Sequence, residues 1–162
     1  MAQRYAKTTR YPANVEKLLE ILMDPDFQVA REKVQGSLEV TVKDRSRSDD
    51  QYIYEVHTVD YAKGITGIDK SKTETALAVY TWDLANRRCR WTWDGPHSNR
   101  VKVWGHLILH VAGDETDLEG DFHVDVSVPL VGGKIEREVI KETIKGWDRY
   151  ESVVRKFIAE RE

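Results

Sequence analysis

The chain is poor in the residues that usually announce a special chemistry. A single cysteine, Cys89, among 162 residues excludes an intramolecular disulfide framework and a thiolate metal cage. Only 4 prolines and no low-complexity tract exclude collagen-like and proline-rich architectures. No stretch approaches the roughly 20 consecutive apolar residues of a membrane-spanning helix, and the opening MAQRYAKTTR lacks the apolar stretch of a secretory signal. A reducing, cytoplasmic setting is expected, with transient contact to a membrane surface left open. A basic excess is missing too: 25 Lys and Arg against 28 Asp and Glu leave a net charge of -3, which argues against nucleic acid as a partner. What is present is an ordinary globular mixture, 40% hydrophobic and 33% charged. The length suits one domain, residues 1–162, burying roughly 70% of its unfolded surface.

Periodicity divides the chain into three parts. Residues 4–10 read as an opening strand, broken at Tyr11-Pro12. From Ala13 to Met23 the apolar residues Val15, Leu18, Leu19, Leu22 and Met23 fall on one face of an amphipathic helix. Asp24-Pro25 is an N-cap followed by proline, so a second short helix begins there, with Phe27, Ala30 and Val34 apolar and an end near Gly36. The period then changes to two. Leu38, Val40 and Val42 alternate with polar residues, as do Tyr52, Tyr54, Val56 and Thr58, with DRSRSDD between them as a solvated loop. Residues 63–72 read as an irregular loop and a candidate cavity lip. Strands over 73–83, 88–94, 99–111 and 118–128 complete an antiparallel meander. After Gly132-Gly133 come about 30 residues with one glycine and no proline, a long helix whose apolar arc runs from Val139 to Ile158. Only the strands are extensive enough to cover that arc, so the expected fold is α+β, with a sheet of about six to seven strands wrapped around the terminal helix.

This order resembles the START-like helix-grip superfamily, also called SRPBCC. YPANVEKLLEILMDPDF, residues 11–27, is similar to its first strand and helix pair; VDVSVPLVGGKIEREVI, residues 124–140, is similar to the entry to its last helix in an uncharacterised bacterial branch. The resemblance implies a fold that holds lipids, sterols, isoprenoids or polyketides between sheet and helix. It also implies a minority of cyclases and aromatases and some co-chaperones. No catalytic motif of those enzymes is matched, so no catalytic residue and no cofactor or metal is expected.

The residues add their own evidence. Trp91, Trp93 and Cys89 share one strand face, and the expected register sets Val101 opposite Trp93 and Val103 opposite Trp91, with Arg90 meeting Trp104 on the other face. Packed core and cavity wall both remain open for these rings. On the terminal helix, Val139, Thr143, Trp147 and Tyr150 face inward. Glu136 lies within the same arc, either as the third helical residue, where a carboxylate complements the free N–H groups, or as a polar anchor for a ligand. Thr143 could bond a ligand or the carbonyl one turn back. Gly146 costs about 1 kcal/mol relative to alanine, which close approach of a strand or tryptophan, or room for a ligand, would offset. His106 is expected to face His123, or to meet Asp125 after a shift of two. These positions alternate with Leu107, Leu109, Phe122 and Val124, so a solvated outer face is expected rather than a zinc site.

Together these readings give a hydrophobic-ligand binder, monomer or weak dimer, whose binding residues are Trp91, Trp93, Val103, Glu136, Val139, Thr143, Trp147 and Tyr150. A cyclase-type enzyme is the alternative, with Glu136, Glu55 or His57 as its acid or base. A protein-interaction module is the third reading.

Overall fold

The computed structural model describes residues 2–64 and 67–162. Strand β1 (Gln3–Tyr11) leads into α1 (Val15–Met23) and α2 (Pro25–Val34). Strands β2 (Glu39–Arg47), β3 (Gln51–Gly64), β4 (Gly67–Asp83), β5 (Arg88–Asp94), β6 (Val101–Ala112) and β7 (Glu115–Val126) follow, and α3 (Gly132–Glu160) closes the chain. The described strands form one antiparallel sheet in the order β1-β7-β6-β5-β4-β3-β2. This is the expected α+β helix grip. No described helix is long and apolar enough to cross a membrane.

Local chemistry fixes the helix starts. The Asn14 side chain accepts the Lys17 N–H at 2.9 Å and the Asp24 side chain accepts the Asp26 N–H at 2.8 Å, with Pro25 opening α2. Val15, Leu18, Ile21 and Leu22 of α1 are buried. On α2 the inward face differs from the expected one: Phe27 and Gln28 are buried while Val34 is 45% exposed. The apolar pattern of α2 is sparse, and tertiary packing decides its rotation.

Two segments read as loops are in part strand. Residues 63–64 and 67–72 belong to the long β3–β4 hairpin, with Lys63 opposite Ile68 and Gly64 opposite Gly67. Ile65 and Thr66 of the expected cavity lip lie outside the described residues, as does Met1. Likewise β2 continues through Arg47 into DRSRSDD, with an irregularity between Asp44 and Ser46. Paired backbone outweighs the polar composition in both places.

The backbone of the terminal helix lies nearest β1, β7 and the two short helices. Its C-terminal half is locked in, with Val153 at 9%, Val154 at 0% and Ile158 at 1% exposure. Its first residue is Gly132 with Val131 as N-cap, so Glu136 is the fifth helical residue rather than the third. Glu136 is fully buried, and its Oε2 accepts the Val126 N–H at 2.8 Å, tying the first turns of α3 to the end of β7. Gly146 makes room for Gln35, whose Nε2 donates to the Gly146 carbonyl at 2.8 Å; neither a strand nor a tryptophan approaches it.

Glycine and tryptophan are paired on the inner side of the sheet. A Cβ on Gly105 would lie 2.5 Å from the Trp91 ring and 2.2 Å from the Asp121 carbonyl oxygen, one on Gly95 2.2 Å from the Trp93 ring, and one on Gly120 2.9 Å from the Trp147 ring. Bare backbone thus lets three indoles settle close to the strands. Gly105→Ala is expected to lower unfolding stability in urea by about 2 kcal/mol or more, as overpacking against fixed backbone does. Gly133→Ala, whose Cβ meets nothing closer than Arg137 at 3.5 Å, is expected to be neutral in the same titration.

Candidate functional site

The inner face of the sheet tapers. Along β3 the inward residues run Tyr52, Tyr54, Val56, Thr58, and along β4 in the paired direction they run Trp82, Tyr80, Ala78, Ala76; all eight are buried. Large rings therefore fill the end of the grip opposite the β3–β4 hairpin tip, and small residues line the end toward it. On β5 the large side chains reach into the small-residue end, because Trp91 pairs with Tyr80 and Trp93 with Ala78. A second apolar cluster sits there, built on Val103, Phe122, Val124 and Val126, with Trp91, Trp93, Ile135, Val139 and Ile140 packed against it.

The register places Val103 opposite Trp93 and Gly105 opposite Trp91, two residues from the expected pairing. Arg90 accordingly pairs with His106, and Trp104 stacks on His123 at 5.1 Å rather than meeting Arg90. The β6–β7 turn is tighter than expected: Val111 pairs with Thr116, so His106 faces Asp121 and not His123 or Asp125.

Of the eight residues expected to bind ligand, Trp91, Trp93 and Val103 lie on the inner sheet face, and Val139, Thr143, Trp147 and Tyr150 lie on α3, each of these four half-buried. The Thr143 hydroxyl donates to the Val139 carbonyl at 2.8 Å. Tyr5 meets the Trp147 ring edge-on at 5.6 Å, and Phe27 meets Tyr150 at 5.8 Å. Two concavities, of about 630 Å³ and about 290 Å³, lie outside this region, walled largely by outward side chains such as Thr41, His57 and Leu77 or Thr81, Arg90 and His106. Glu55 and His57, bonded to each other at 2.8 Å, are on that outer face as well.

Sequence reasoning missed the polar centre of the interior. Arg31 of α2 reaches inward between two tyrosines, its guanidinium 5.1 Å from the Tyr150 ring centre and 6.0 Å from that of Tyr80, and it donates to the Tyr80 hydroxyl. Glu32 is 3.8 Å away, and the buried Arg31 Nε has no hydrogen-bond partner. Beside it the Tyr54 hydroxyl takes hydrogen bonds from Gln28 at 3.1 Å and Trp82 at 3.2 Å, and donates to the Leu22 carbonyl at 3.3 Å. Burial pushes the Tyr54, Tyr80 and Tyr150 hydroxyls above the usual tyrosine range, Arg31 opposing the shift in each, so all three stay neutral donors at physiological pH. The signal was present: Arg31 follows Phe27 by four residues and Gln28 by three, so helical spacing turns all three toward one side, but polar residues there do not register in an apolar pattern.

A family model described as Protein of unknown function (DUF2505) matches residues 6–158. No curated protein matches the chain. Among solved structures, the Zhui aromatase/cyclase from Streptomyces sp. R1128 is 14% identical over 99% of this chain and 93% of that one, with a TM-score of 0.60. Norcoclaurine synthase from Thalictrum flavum, in complex with dopamine and hydroxybenzaldehyde, is 9% identical over 100% and 89%, with a TM-score of 0.69. A START superfamily protein from Mycobacterium smegmatis is 17% identical over 93% and 98%, with a TM-score of 0.53. At such identities the likeness is one of fold, and the fold is the START-like helix grip.

Cys89 lies in the same interior, 1% exposed, and burial raises its thiol above the usual range. It is expected to be inert to a disulfide reagent at pH 8 in the native protein and to react in full once urea unfolds the chain. Rapid labelling of native protein, followed by absorbance, would contradict that placement.

Proposed function

This chain belongs to the family described as Protein of unknown function (DUF2505), and from that premise we propose that it binds a mainly apolar small molecule between the sheet and α3, acting by sequestration or transfer. One observation carries the reading. From its first turns to just past its midpoint α3 presents Ile135, Val139, Ile140 and Trp147 toward the sheet, yet all four are only half-buried, and so are Trp91 and Trp93 across from them. Further along the same helix Val153, Val154 and Ile158 are buried. Apolar surface left half-covered beside Thr58, Ala76 and Ala78 is the composition of a ligand wall.

Within that wall Trp91, Trp93, Val103, Val139 and Trp147 supply apolar contact, and Thr143 supplies one hydroxyl. Tyr150 and Arg31 form the polar end, and Glu136 holds the rim through Val126. A guanidinium in a tyrosine cage favours a ligand with an oxygen acceptor or acidic group at its inner end, such as a fatty acid or a phenolic polyketide. The fold that this chain shares with a norcoclaurine synthase in complex with two small aromatic molecules supports occupancy of this kind. A cyclase-type activity draws no support from Glu55 or His57, which face outward.

Anilinonaphthalene sulfonate, an apolar probe with one anionic group, is expected to bind with a rise in fluorescence and to raise the melting temperature. Ala78→Phe, which adds a ring on the inner face opposite Trp93, is expected to abolish the signal. Arg31→Met should weaken the sulfonate probe about tenfold while leaving the uncharged phenylnaphthylamine unaffected. Undiminished binding of both probes to a folded Ala78→Phe variant would overturn the interior as the site.

A further inference from the structure

The outer face of the sheet carries a cluster that the interior does not use. His106 on β6 pairs with Asp121 on β7, and two residues along β7 His123 projects to the same side. His106 Nδ1 lies 3.1 Å from Asp121 Oδ1, and His123 Nε2 lies 3.4 Å from Asp121 Oδ2. One ligating atom from each of the three side chains lies within 4.8 Å of the other two. Two imidazoles and a carboxylate around a tetrahedral ion with bonds of 2.0–2.1 Å would stand about 3.3 Å apart, so each carboxylate oxygen already sits at ligand spacing from one ring, and side-chain rotation has only to close the three-atom set from within 4.8 Å. We propose that His106, Asp121 and His123 form a binding site for a divalent first-row transition ion, best matched by Zn²⁺, on the face of the sheet opposite the interior.

The donor set selects the ion class. Two imidazole nitrogens suit zinc, nickel or copper and disfavour calcium and magnesium, which take oxygen. Three protein ligands leave one position for water or an exogenous ligand. The site is held from several sides: Trp104 stacks on the His123 ring with 7° between their planes, and the His106 N–H donates to Asp121 Oδ1 at 2.7 Å. Asp121 and His123 are largely covered, with side-chain exposures of 16% and 20%, while His106 is 43% exposed and also walls the 290 Å³ outer concavity, which gives an ion a path in. Arg4 approaches Asp121 Oδ2 at 3.5 Å, but its side chain is 58% exposed and free to swing away. A hydrogen-bonded ladder of histidine, aspartate and histidine is the competing account of the same distances. The proposal stands independently of what the interior binds.

Calorimetric titration of the chelator-treated full chain with ZnCl₂ is expected to saturate at one ion per chain. His123→Gln and Asp121→Asn should each weaken binding more than about tenfold, with unchanged melting temperatures in chelator. His110→Ala, which removes an exposed histidine near Glu119 on the same face, should leave the titration as it is. A second readout does not depend on those variants: Cu²⁺ should quench the fluorescence of the stacked Trp104, and Trp104→Phe should remove that quenching while retaining the Zn²⁺ isotherm. Absence of Zn²⁺ binding, or binding that His123→Gln and Asp121→Asn leave equal to the parent, would show the cluster to be a hydrogen-bond ladder only.

Discussion

The molecule is organised by a mismatch between one helix and seven strands. An α-helix with its side chains is about 10 Å across, while neighbouring strands repeat every 4.8 Å or so, so α3 can lie on only a few of them. It lies on β1 and β7, beside α1 and α2. The inner faces of β3, β4 and β5 must then be covered by side chains that cross the gap themselves. That is why the interior is rich in tyrosine and tryptophan, with Phe27 and Phe157 meeting edge to face at 5.5 Å on the helix side and Tyr54 stacked on Tyr80 at 5.1 Å on the sheet side. Aliphatic residues would be too short to meet across the same span.

The same geometry makes the two ends of the grip unequal. Where β3 and β4 carry tyrosine and tryptophan inward, the span is bridged and α3 is locked by Val154 and Ile158. Where they carry threonine and alanine the bridging passes to β5, and the indoles of Trp91, Trp93 and Trp147 settle toward glycine backbone and stay half-buried. The difference in burial between the two ends thus follows from one choice of residue size along two strands.

Much of this was legible in the sequence, and the failures share a cause. Helix caps, the change of period after Gly36 and the long terminal arc are local signals, and each element they imply is present. Inward and outward faces followed from period two, which correctly put Cys89, Trp91 and Trp93 inside and His106 and His123 outside. Register did not follow, because a two-residue slip preserves every face; it took the turn geometry to set Val111 against Thr116 and Val103 against Trp93. The hairpin residues after Lys63 were hidden by their polarity, which is what strand extending beyond the core is expected to show. Arg31 was hidden for the opposite reason, since a charged residue on a short helix reads as surface until the partners that enclose it are known.

Arg31 also constrains what the interior can do. Burial works against its charge, and Tyr80, Glu32 and Tyr150 more than offset that, so the guanidinium remains charged. The Arg31 side chain is 23% exposed, and its covered part is compensated incompletely: one hydroxyl, two ring faces and a carboxylate at 3.8 Å, with the buried Nε unpartnered. A purely hydrocarbon occupant would exclude water from the guanidinium without replacing the lost hydrogen bonds. An occupant with an oxygen at its inner end would replace them. If the interior binds as proposed, selectivity would come from the cost of leaving Arg31 unsatisfied as much as from the apolar area of the tryptophans, and would favour amphiphiles over plain hydrocarbons of the same size.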